Sequence, residues 1–338
     1  MNKHSEAIAV SVLCASFNQE KYIRKMLDGL VMQKTTFPVE FLIHDDASTD
    51  HTAEIIREYA EKYPDRIVPF YETENQYSKG RNFLFDQMIP QARGKYLAIC
   101  EGDDYWTDPE KLQRQYEIME AHPECSVCVH DVNGITEDEK KVIRTFPMHP
   151  QETGIMDTKH FLHRLLVDRE WVFHTTSYFL RADMVKKAIE EKYAFFMNAL
   201  YIDHGLMLLS AYAGKVYYLH RSMSVYRMQA NGGVTNTNIS REQDVARRKA
   251  RSERGILSLE AFDQATKYAY HDEVQLYLGY MHFQIAECDG DYRFLMSREM
   301  KRYFRKLPKQ VKIRVAIARF IPGFDKLYFW VRKKIKGA

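Results

Sequence analysis

The hexapeptide Glu-Gly-Asp-Asp-Tyr-Trp at residues 101–106 carries the most evident chemistry in this sequence. It follows the apolar run at residues 96–100, which is typical of a buried strand. Adjacent carboxylates at a strand end repel each other and are costly to desolvate, and a cation beside an anionic ligand removes that cost. Mg²⁺ and Mn²⁺ suit such a site, because one or two carboxylates and substrate phosphates commonly hold them. The hexapeptide therefore favours either a metal–diphosphate site or an acidic turn, which Gly-Asp-Asp also forms readily.

These carboxylates end one strand in a regular series of strands and helices. Apolar β-rich runs predict strands at residues 8–15, 39–44, 67–71 and 96–100, and helical spacing predicts helices at 20–33, 50–63 and 82–92. The alternation predicts βαβ units and a largely parallel sheet, whose ligands bind beyond the carboxyl ends of the strands. The polar turns at residues 16–18, 45–46 and 103–104 all fall at that edge. Their convergence favours a binding site over an isolated acidic turn.

The pattern is looser beyond residue 108. It predicts helices at residues 108–121, 158–168, 182–193 and 201–212, and strands at 126–130, 175–180, 216–219 and 223–227. Residues 133–157 read as a surface excursion, and residues 231–233 read as a flexible loop. From residue 241 to about 286 the spacing is helical, with one break near residues 270–272.

The charge of the chain is unevenly distributed. The net charge of the 338 residues is only +3, but residues 293–338 alone carry fifteen Lys or Arg and two acids. The rest of the chain is therefore acidic, and this asymmetry indicates an anionic surface as a partner of the tail. The five scattered cysteines suggest no disulfide framework, so we expect a reducing compartment. We see neither a signal peptide nor an apolar run of 18 residues, and we expect a soluble or membrane-peripheral protein.

Two segments resemble the opening strands and turns of the family 2 glycosyltransferases. They are VSVLCASFNQEKYI at residues 10–23 and EFLIHDDASTDHT at residues 40–52. Gly-Arg-Asn at residues 80–82 and the segment 96–113 complete the family pattern in the same order, and residues 101–112 resemble bacterial members that build surface polysaccharides. The resemblance covers roughly residues 6–230 and is dense in motifs up to residue 131.

The resemblance implies an α/β fold of the GT-A type. This is a nucleotide-diphosphate-sugar-binding domain with a mostly parallel central sheet, followed here by a helical C-terminal region. We assign the domain to residues 1–235, with a nucleotide-sugar-binding half at 6–131 and an acceptor half at 132–235. Residues 236–338 then form the helical region with its basic amphipathic tail.

The same resemblance implies a site for the nucleotide at the carboxyl edge. Candidate binding residues are Ser16, Phe17, Asn18, Glu20, Asp46, Arg81, Asp103 and Arg227. Phe17 can stack on a pyrimidine face, or it can be a core aromatic residue. Asp46 can accept the N–H of uracil or another base, while Asp45 serves the turn or lies nearby.

The other donor-site candidates also keep a structural alternative. Glu20 can instead support the first helical turn, and Arg81 can pair with diphosphate oxygens or remain solvated at a helix start. Arg227 can offset the charge of the leaving group, in a segment that resembles a family loop over the diphosphate.

A divalent cation, Mn²⁺ or Mg²⁺, is the cofactor that the resemblance implies. Asp104 is expected to bind it directly, and Asp103 is expected to hold the ribose hydroxyls or to reach the metal through water. Glu101 either shares the metal sphere or orients its neighbours.

Inverting transfer needs a general base that takes the proton of the acceptor hydroxyl. The family carries an acid about a hundred positions after the metal motif, usually as Glu-Asp before a helix. Here the match is Tyr201-Ile202-Asp203-His204, with Ile202 in the place of the usual glutamate. Asp203 is the candidate base, although helix capping would also suit its position. His204 and His174 are weaker candidates for the acceptor side.

The sequence thus predicts a metal-dependent inverting glycosyltransferase that uses a nucleotide-diphosphate sugar, with UDP as the favoured nucleotide. We expect a glycan or lipid-linked acceptor and a cytoplasmic enzyme on the inner face of the membrane. Residues 309–338 would contact the anionic surface, since Phe324, Leu327, Tyr328, Val331 and Ile335 form one apolar stripe beside basic residues.

Two rival functions remain open at this stage. A sugar nucleotidyltransferase would normally show a Gly-rich basic loop after the first strand, and residues 16–20 lack one. A nucleic-acid binder acting through the tail is disfavoured by the acidic body, and we expect no nucleic-acid partner.

Overall fold

A computed structural model describes residues 7–81, 83–170, 172–228, 241–321 and 324 of the chain. Two compact units make up the chain. One unit comprises Met1–Met197 with Tyr201–Thr237, and the other comprises Asn198–Leu200 with Asn238–Ala338. All candidate site residues of the sequence fall in the first unit.

The first unit is built on one sheet of ten strands. The strands are β1 Val10–Ser16, β2 Val39–Asp45, β3 Ile67–Tyr71, β4 Tyr96–Ile99, β5 Tyr105–Trp106, β6 Cys125–Ile135, β7 Val142–Phe146, β8 Gly154–Ile155, β9 Phe179–Arg181 and β10 Lys215–Arg227. Their order is β3-β2-β1-β4-β9-β6-β10-β5, with β7 paired to β6 and β8 paired to β10. Strands β3, β2, β1 and β4 are mutually parallel, as are β6 and β10. The predicted mostly parallel sheet is therefore confirmed.

Helices cover the sheet of the first unit. They are α1 Ile23–Val31, α2 Thr52–Lys62, α3 Ile89–Gln91, α4 Lys111–Ala121, α5 Thr158–Leu162, α6 Ala182–Glu190, α7 Ala194–Met197 and α8 Ile202–Ala213. Single π-helical turns precede α3 and follow α5, and a 3₁₀ turn covers Thr175–Ser177. The helix predicted from residue 108 begins at Lys111 instead. Asp108 lies in the turn before it and accepts a hydrogen bond from the Glu110 amide at 2.9 Å.

The parallel strands bring the predicted polar turns to one edge. Backbone hydrogen bonds join these turns directly, from the Asp46 amide to the Ser16 carbonyl at 3.0 Å and from the Gly102 amide to the Ala15 carbonyl at 2.9 Å. Apolar side chains of β1, β2 and β4 meet those of α1 and α2 in a core that also contains Trp106. This packing fixes the carboxyl edge, because each strand that ends there has a buried middle.

The region predicted as a surface excursion at residues 133–157 contains paired strands instead. β6 continues to Ile135 and forms an antiparallel hairpin with β7, while β8 pairs with β10. Four of the five residues of β7 are exposed, which explains why its sequence lacks the apolar signature of a buried strand. The two strands predicted at 216–219 and 223–227 are one strand, β10, which is interrupted by bulges around residues 219–224.

The second unit is helical where the structure describes it. Its helices are α9 Arg241–Ala265, α10 His271–Asp289, α11 Tyr292–Leu295, α12 Lys301–Lys306 and α13 Lys309–Phe320. The predicted break near residues 270–272 is confirmed, since α9 ends at Ala265 and α10 begins at His271. Among the described residues, no helix combines the length and apolarity needed to cross a bilayer. The apolar stripe predicted at 324–335 lies outside the described residues, apart from Phe324.

Candidate active site

Three carboxylates lie together after β4, at the carboxyl edge of the sheet. Asp104 is fully buried, while Glu101 and Asp103 are partly exposed. Gly102 lets this turn pack closely on Gln19 and Ser16, because a Cβ at this position would lie 2.0 Å from the Gln19 side-chain oxygen and 2.9 Å from the Ser16 Cβ. We name Glu101, Asp103 and Asp104 the acid cluster.

The acid cluster is electrostatically unfavourable when no cation is bound. Burial, reinforced by the neighbouring carboxylates, raises the pKa of Asp104 well above its ordinary value and that of Glu101 to about 8. Burial also raises the pKa of Asp103, although the charge of Arg227 opposes this. The Asp104 Oδ2 atom is buried and accepts no hydrogen bond from the described residues. A divalent cation fits here, since it would replace the missing positive charge and bind the orphaned oxygen.

The described residues contain no group of three or more His, Cys, Asp or Glu side chains arranged to hold a metal. A cation at the acid cluster would have to complete its coordination with substrate oxygens or water, as Mg²⁺ and related ions commonly do with phosphates.

Arg227 ends β10 directly against the acid cluster. Its amide donates to Asp104 Oδ1 at 3.3 Å, and its guanidinium donates to the Asp103 carbonyl. The guanidinium carbon lies 5.0 Å from the ring centre of Tyr22 and 4.7 Å from that of Tyr105. The structure thus brings the predicted Arg227 to the predicted metal motif.

A carboxylate that the sequence did not reveal binds this arginine. Glu139, in the β6–β7 turn, accepts hydrogen bonds from Arg227 Nε at 3.1 Å and Nη2 at 2.6 Å. Lys25 forms an ion pair with the other Glu139 oxygen. The acidic run at residues 137–139 was the only available signal, and its partners lie far away in sequence.

Asp203 lies in the first turn of α8 and faces the acid cluster. Its charge contributes to the raised pKa of Glu101 and also to that of Tyr178. Burial raises the pKa of Asp203 itself. Tyr201 occupies the N-cap position, and the Asp203 carboxylate accepts from the adjacent His204 amide at 2.8 Å. Asp203 is thus not the N-cap residue itself, but its carboxylate still satisfies an amide of the first helical turn, which is the structural role considered as its alternative.

Two histidines lie close to these acids. His174 Nδ1 is 3.5 Å from Asp104 Oδ2. Burial lowers the pKa of His174 to about 3 and that of His204 to about 4, so both rings are neutral at pH 7.

Asp46 holds a neighbouring loop at the nucleotide end of the edge. Its Oδ1 accepts from the Gln76 amide at 2.7 Å, and its Oδ2 accepts from the Tyr77 amide at 3.1 Å. A base N–H at Asp46 would share these oxygens with the loop. Asp45 supports the turn instead: its Oδ2 accepts from the Ser48 amide at 3.2 Å, and burial raises the pKa of Asp45.

Three other donor-site candidates, Asn18, Glu20 and Ser16, form hydrogen bonds to backbone groups of the protein. Asn18 adopts a left-handed conformation, with φ of 51°, and accepts a hydrogen bond from the Thr49 amide at 2.8 Å. Glu20 accepts from the His51 amide at 3.1 Å, which is the supporting role considered as its alternative. Ser16 is buried and donates to the His44 carbonyl at 2.8 Å.

Phe17 and Arg81 are also accessible at this end of the edge, as Asn18 and Glu20 are. Phe17 is half-buried. Arg81 is exposed and donates to the Gln76 side chain at 3.4 Å.

Comparison with known proteins identifies similar sequences. The family model described as glycosyl transferase family 2 matches residues 11–188. The uncharacterized protein Rv1520 of Mycobacterium tuberculosis is 39% identical over 223 residues, which are 66% of this chain and 60% of the relative. This chain therefore spans less than two thirds of that relative's length. An uncharacterized glycosyltransferase of Nostoc sp., alr2836, is 24% identical over 248 residues, covering 73% of this chain and 72% of the relative.

A solved structure shares the fold. S. aureus TarS 1–349, crystallised in complex with UDP-GlcNAc, aligns with a TM-score of 0.57 at 16% identity, over 92% of this chain and 87% of that chain. The predicted fold class, a GT-A-type α/β domain followed by a helical C-terminal region, is confirmed.

Proposed function

Because the chain belongs to glycosyl transferase family 2, we propose that it is a metal-dependent inverting glycosyltransferase that moves a sugar from a nucleotide-diphosphate donor to a glycan or lipid-linked acceptor. UDP is the proposed nucleotide, by analogy with the UDP-GlcNAc bound to TarS. Family membership favours this reaction over nucleotidyl transfer. One observation carries the proposal. The acid cluster contacts Arg227, and the charge of Asp203 acts on Glu101 within that cluster.

The donor diphosphate would lie at the acid cluster. Asp104 and Asp103 are the proposed protein groups for a Mn²⁺ or Mg²⁺ ion, and Glu101 supports them. When bound, the cation supplies Lewis-acid stabilisation of the diphosphate leaving group. Arg227 adds a fixed positive charge at the same place and orients the Asp103 backbone through its hydrogen bond.

The nucleotide would extend along the carboxyl edge from the acid cluster towards Asp46. Phe17 is the proposed stacking surface for the base, and Asp46 is the proposed acceptor of a base N–H. Ser16, Asn18 and Glu20 shape this end of the site: Ser16 donates to β2, and Asn18 and Glu20 accept from amides that follow β2. Arg81, which is exposed and donates to the Gln76 side chain, is a proposed partner of the diphosphate oxygens.

Asp203 is the proposed general base. In one displacement, the acceptor oxygen forms a bond to the anomeric carbon and the bond from that carbon to the diphosphate oxygen breaks. The acceptor hydroxyl proton passes to the Asp203 carboxylate, and the bonding electrons leave with the diphosphate. The hydrogen bond from the His204 amide holds the carboxylate in place during this transfer.

We propose further that the enzyme works at the inner face of the cell membrane, where α13 contacts an anionic surface. Ile313 and Phe320 are 50% and 75% exposed and lie on the face of α13 opposite to the buried Val315 and Ala318. Lys309 and Arg319 flank these apolar side chains and are exposed as well. This combination of exposed apolar and basic groups is typical of an interfacial helix.

The direct test of the donor site is thermal unfolding in the presence of nucleotide and metal. We expect Mn²⁺ and UDP together to raise the melting temperature of the wild-type chain more than either does alone. Asp104→Ala should abolish that joint effect, because it removes the proposed ligand, while the matched change Asp138→Ala in the exposed β6–β7 turn should not. A joint effect that survives in Asp104→Ala would remove Asp104 from the site.

A further inference from the structure

We propose that Lys25 and Arg227 together form an anion-binding site for the donor diphosphate, and that the Glu139 carboxylate occupies this site until the donor binds. We name Lys25 and Arg227 the cation pair. The inference rests on the proposed function, because it extends the donor site from the acid cluster to a lysine of α1 that the sequence did not single out. Glu139 is then an internal competitor of the nucleotide sugar.

A single carboxylate joins the two members of the cation pair. Glu139 Oε1 accepts from Arg227 Nε at 3.1 Å and from Nη2 at 2.6 Å, while Oε2 forms an ion pair with Lys25. Tyr105 lies against both cations. Its ring centre is 4.2 Å from Lys25 Nζ and 4.7 Å from the guanidinium carbon of Arg227. Because Tyr105 directly follows Asp104, the cation pair lies next to the acid cluster.

Arg227 is enclosed as long as Glu139 stays in place. The Arg227 side chain is only 2% exposed. Its Nε and Nη2 atoms donate to Glu139, and Nη1 donates to the Asp103 carbonyl. That carbonyl belongs to the backbone of the acid cluster, whereas Glu139 is a side chain of a surface turn. A phosphate oxygen therefore reaches the guanidinium when Glu139 withdraws.

The Glu139 side chain is placed so that it can withdraw without unfolding its turn. It is 31% exposed. The turn keeps other contacts, since the Thr136 hydroxyl donates to Asp138 at 2.6 Å and the Tyr22 hydroxyl donates to Glu137. Glu139 also adopts a left-handed backbone conformation, with φ of 58°, which is uncommon outside glycine and is a source of strain. Rotation of the Glu139 side chain towards solvent therefore costs mainly its bonds to the cation pair.

The balance of charge favours the exchange of Glu139 for a diphosphate. Partial burial opposes ionisation of Glu139, but the hydrogen bonds from Lys25 and Arg227 outweigh it and lower the pKa of Glu139. Glu139 is therefore a carboxylate at pH 7, and its one negative charge offsets only one of the two positive charges. A nucleoside diphosphate brings more negative charge and more acceptor oxygens, and both Arg and Lys bind phosphate well. It is therefore the stronger partner of the cation pair.

Calorimetry of UDP binding to the full chain, with Mn²⁺ present, tests this competition. Glu139→Gln should tighten UDP binding by about three- to tenfold, because it removes the competing charge. Lys25→Gln should weaken UDP binding by about two- to fivefold, because it removes an exposed charged partner. The direction of the Lys25 effect is decisive. If Lys25 served only to hold Glu139 in place, its loss would release Arg227 and tighten binding instead.

Two controls locate the effect at the diphosphate. Lys21→Gln, at an exposed lysine just before α1, and Asp138→Asn, beside Glu139, should both keep the wild-type affinity for UDP. Uridine lacks the phosphates, so saturation-transfer NMR should show equal uridine binding in Lys25→Gln, Glu139→Gln and the wild-type protein. Circular dichroism and ligand-free melting of the variants establish that the fold is kept.

The outcomes separate this inference from the proposed function. Unchanged UDP affinity in Glu139→Gln, or unchanged or tighter binding in Lys25→Gln, would overturn the inference and leave the proposed function standing. Equal changes for UDP and uridine would place the effect at the base and would also overturn it. If the wild-type chain bound no UDP in the presence of Mn²⁺, the proposed function and the inference would fall together.

Discussion

Lys111 gives the sharpest test of the electrostatics beneath the active site. Its side chain is fully buried at the start of α4, and Nζ lies 4.0 Å from the ring centre of Trp106. Nζ donates to Gln115 Oε1 at 2.7 Å. The Gln115 amide nitrogen donates in turn to the carbonyls of Cys128 and Ser177. No carboxylate accompanies the ammonium group in these contacts, so the protonated form is poorly stabilised.

The magnitude follows from the pKa. Burial lowers the pKa of Lys111 from 10.5 to about 7, and at about 1.4 kcal/mol per pH unit the buried ammonium costs about 5 kcal/mol. Between these two pKa values the unfolded chain binds more protons than the folded chain, so stability rises with pH in that window. From pH 7 to pH 9 the contribution of Lys111 amounts to about 2 kcal/mol.

Lys111→Met should remove this dependence. Methionine fills a similar volume without a charge, while Gln115 loses a hydrogen bond at a cost of about 1–3 kcal/mol. We therefore expect the variant to exceed the wild-type protein in free energy of unfolding by about 1–3 kcal/mol at pH 7, with the difference shrinking by about 2 kcal/mol at pH 9.

Urea unfolding at pH 7, 8 and 9, followed by circular dichroism, measures both quantities. Lys140→Met is the matched control, because the Lys140 side chain is 82% exposed and should show no such pH effect. Parallel curves of stability against pH for the wild-type protein and Lys111→Met would refute the lowered pKa of Lys111.

Three further changes test the site and the tail. Asp203→Asn should keep Mn²⁺-dependent UDP binding but reduce transfer by about 10²–10⁴-fold, as expected for a lost general base; near-normal turnover would exclude Asp203. Glu139→Gln should tighten UDP binding measured by calorimetry, because Arg227 no longer pairs with a full carboxylate, whereas Asp138→Asn in the same turn should leave the affinity unchanged; equal affinities in all three proteins would contradict this competition. Deletion of residues 309–338 should abolish co-sedimentation with anionic vesicles, and unchanged binding would refute membrane contact through this segment.

The carboxyl edge of the sheet could be predicted because its information is local. Each buried strand is an apolar run followed by a polar turn, and parallel pairing then places all the turns at one edge. The turns at Ser16, Asp46 and Asp104 needed no knowledge of other residues. The same reasoning missed β7, because this exposed strand at the side of the long β6 has no apolar run of its own.

The contacts around Arg227 and Asp104 could not be read in this way. Glu139 meets Arg227 across 88 positions of sequence, and His174 meets Asp104 only because β9 and the turn before it lie between β4 and β6. Neither residue belongs to a local pattern that indicates these contacts. Their roles follow from the order of strands in the sheet, which the periodicity of the sequence does not specify.

The acid cluster is electrostatically unfavourable where it lies, and this indicates that it serves to bind a ligand. A polar sequence such as Glu-Gly-Asp-Asp normally forms an exposed turn. Here Asp104 is buried, and Gly102 packs closely against Gln19. A substitution of Asp104 by an apolar residue of similar size would relieve the buried charge and so should stabilise the metal-free protein. Burial of a carboxylate against its preference for solvent is expected at sites where a bound ligand stabilises it. A ligand that stabilises carboxylates with raised pKa values must be positively charged. Arg227 supplies only part of that charge, because it is already paired with Glu139.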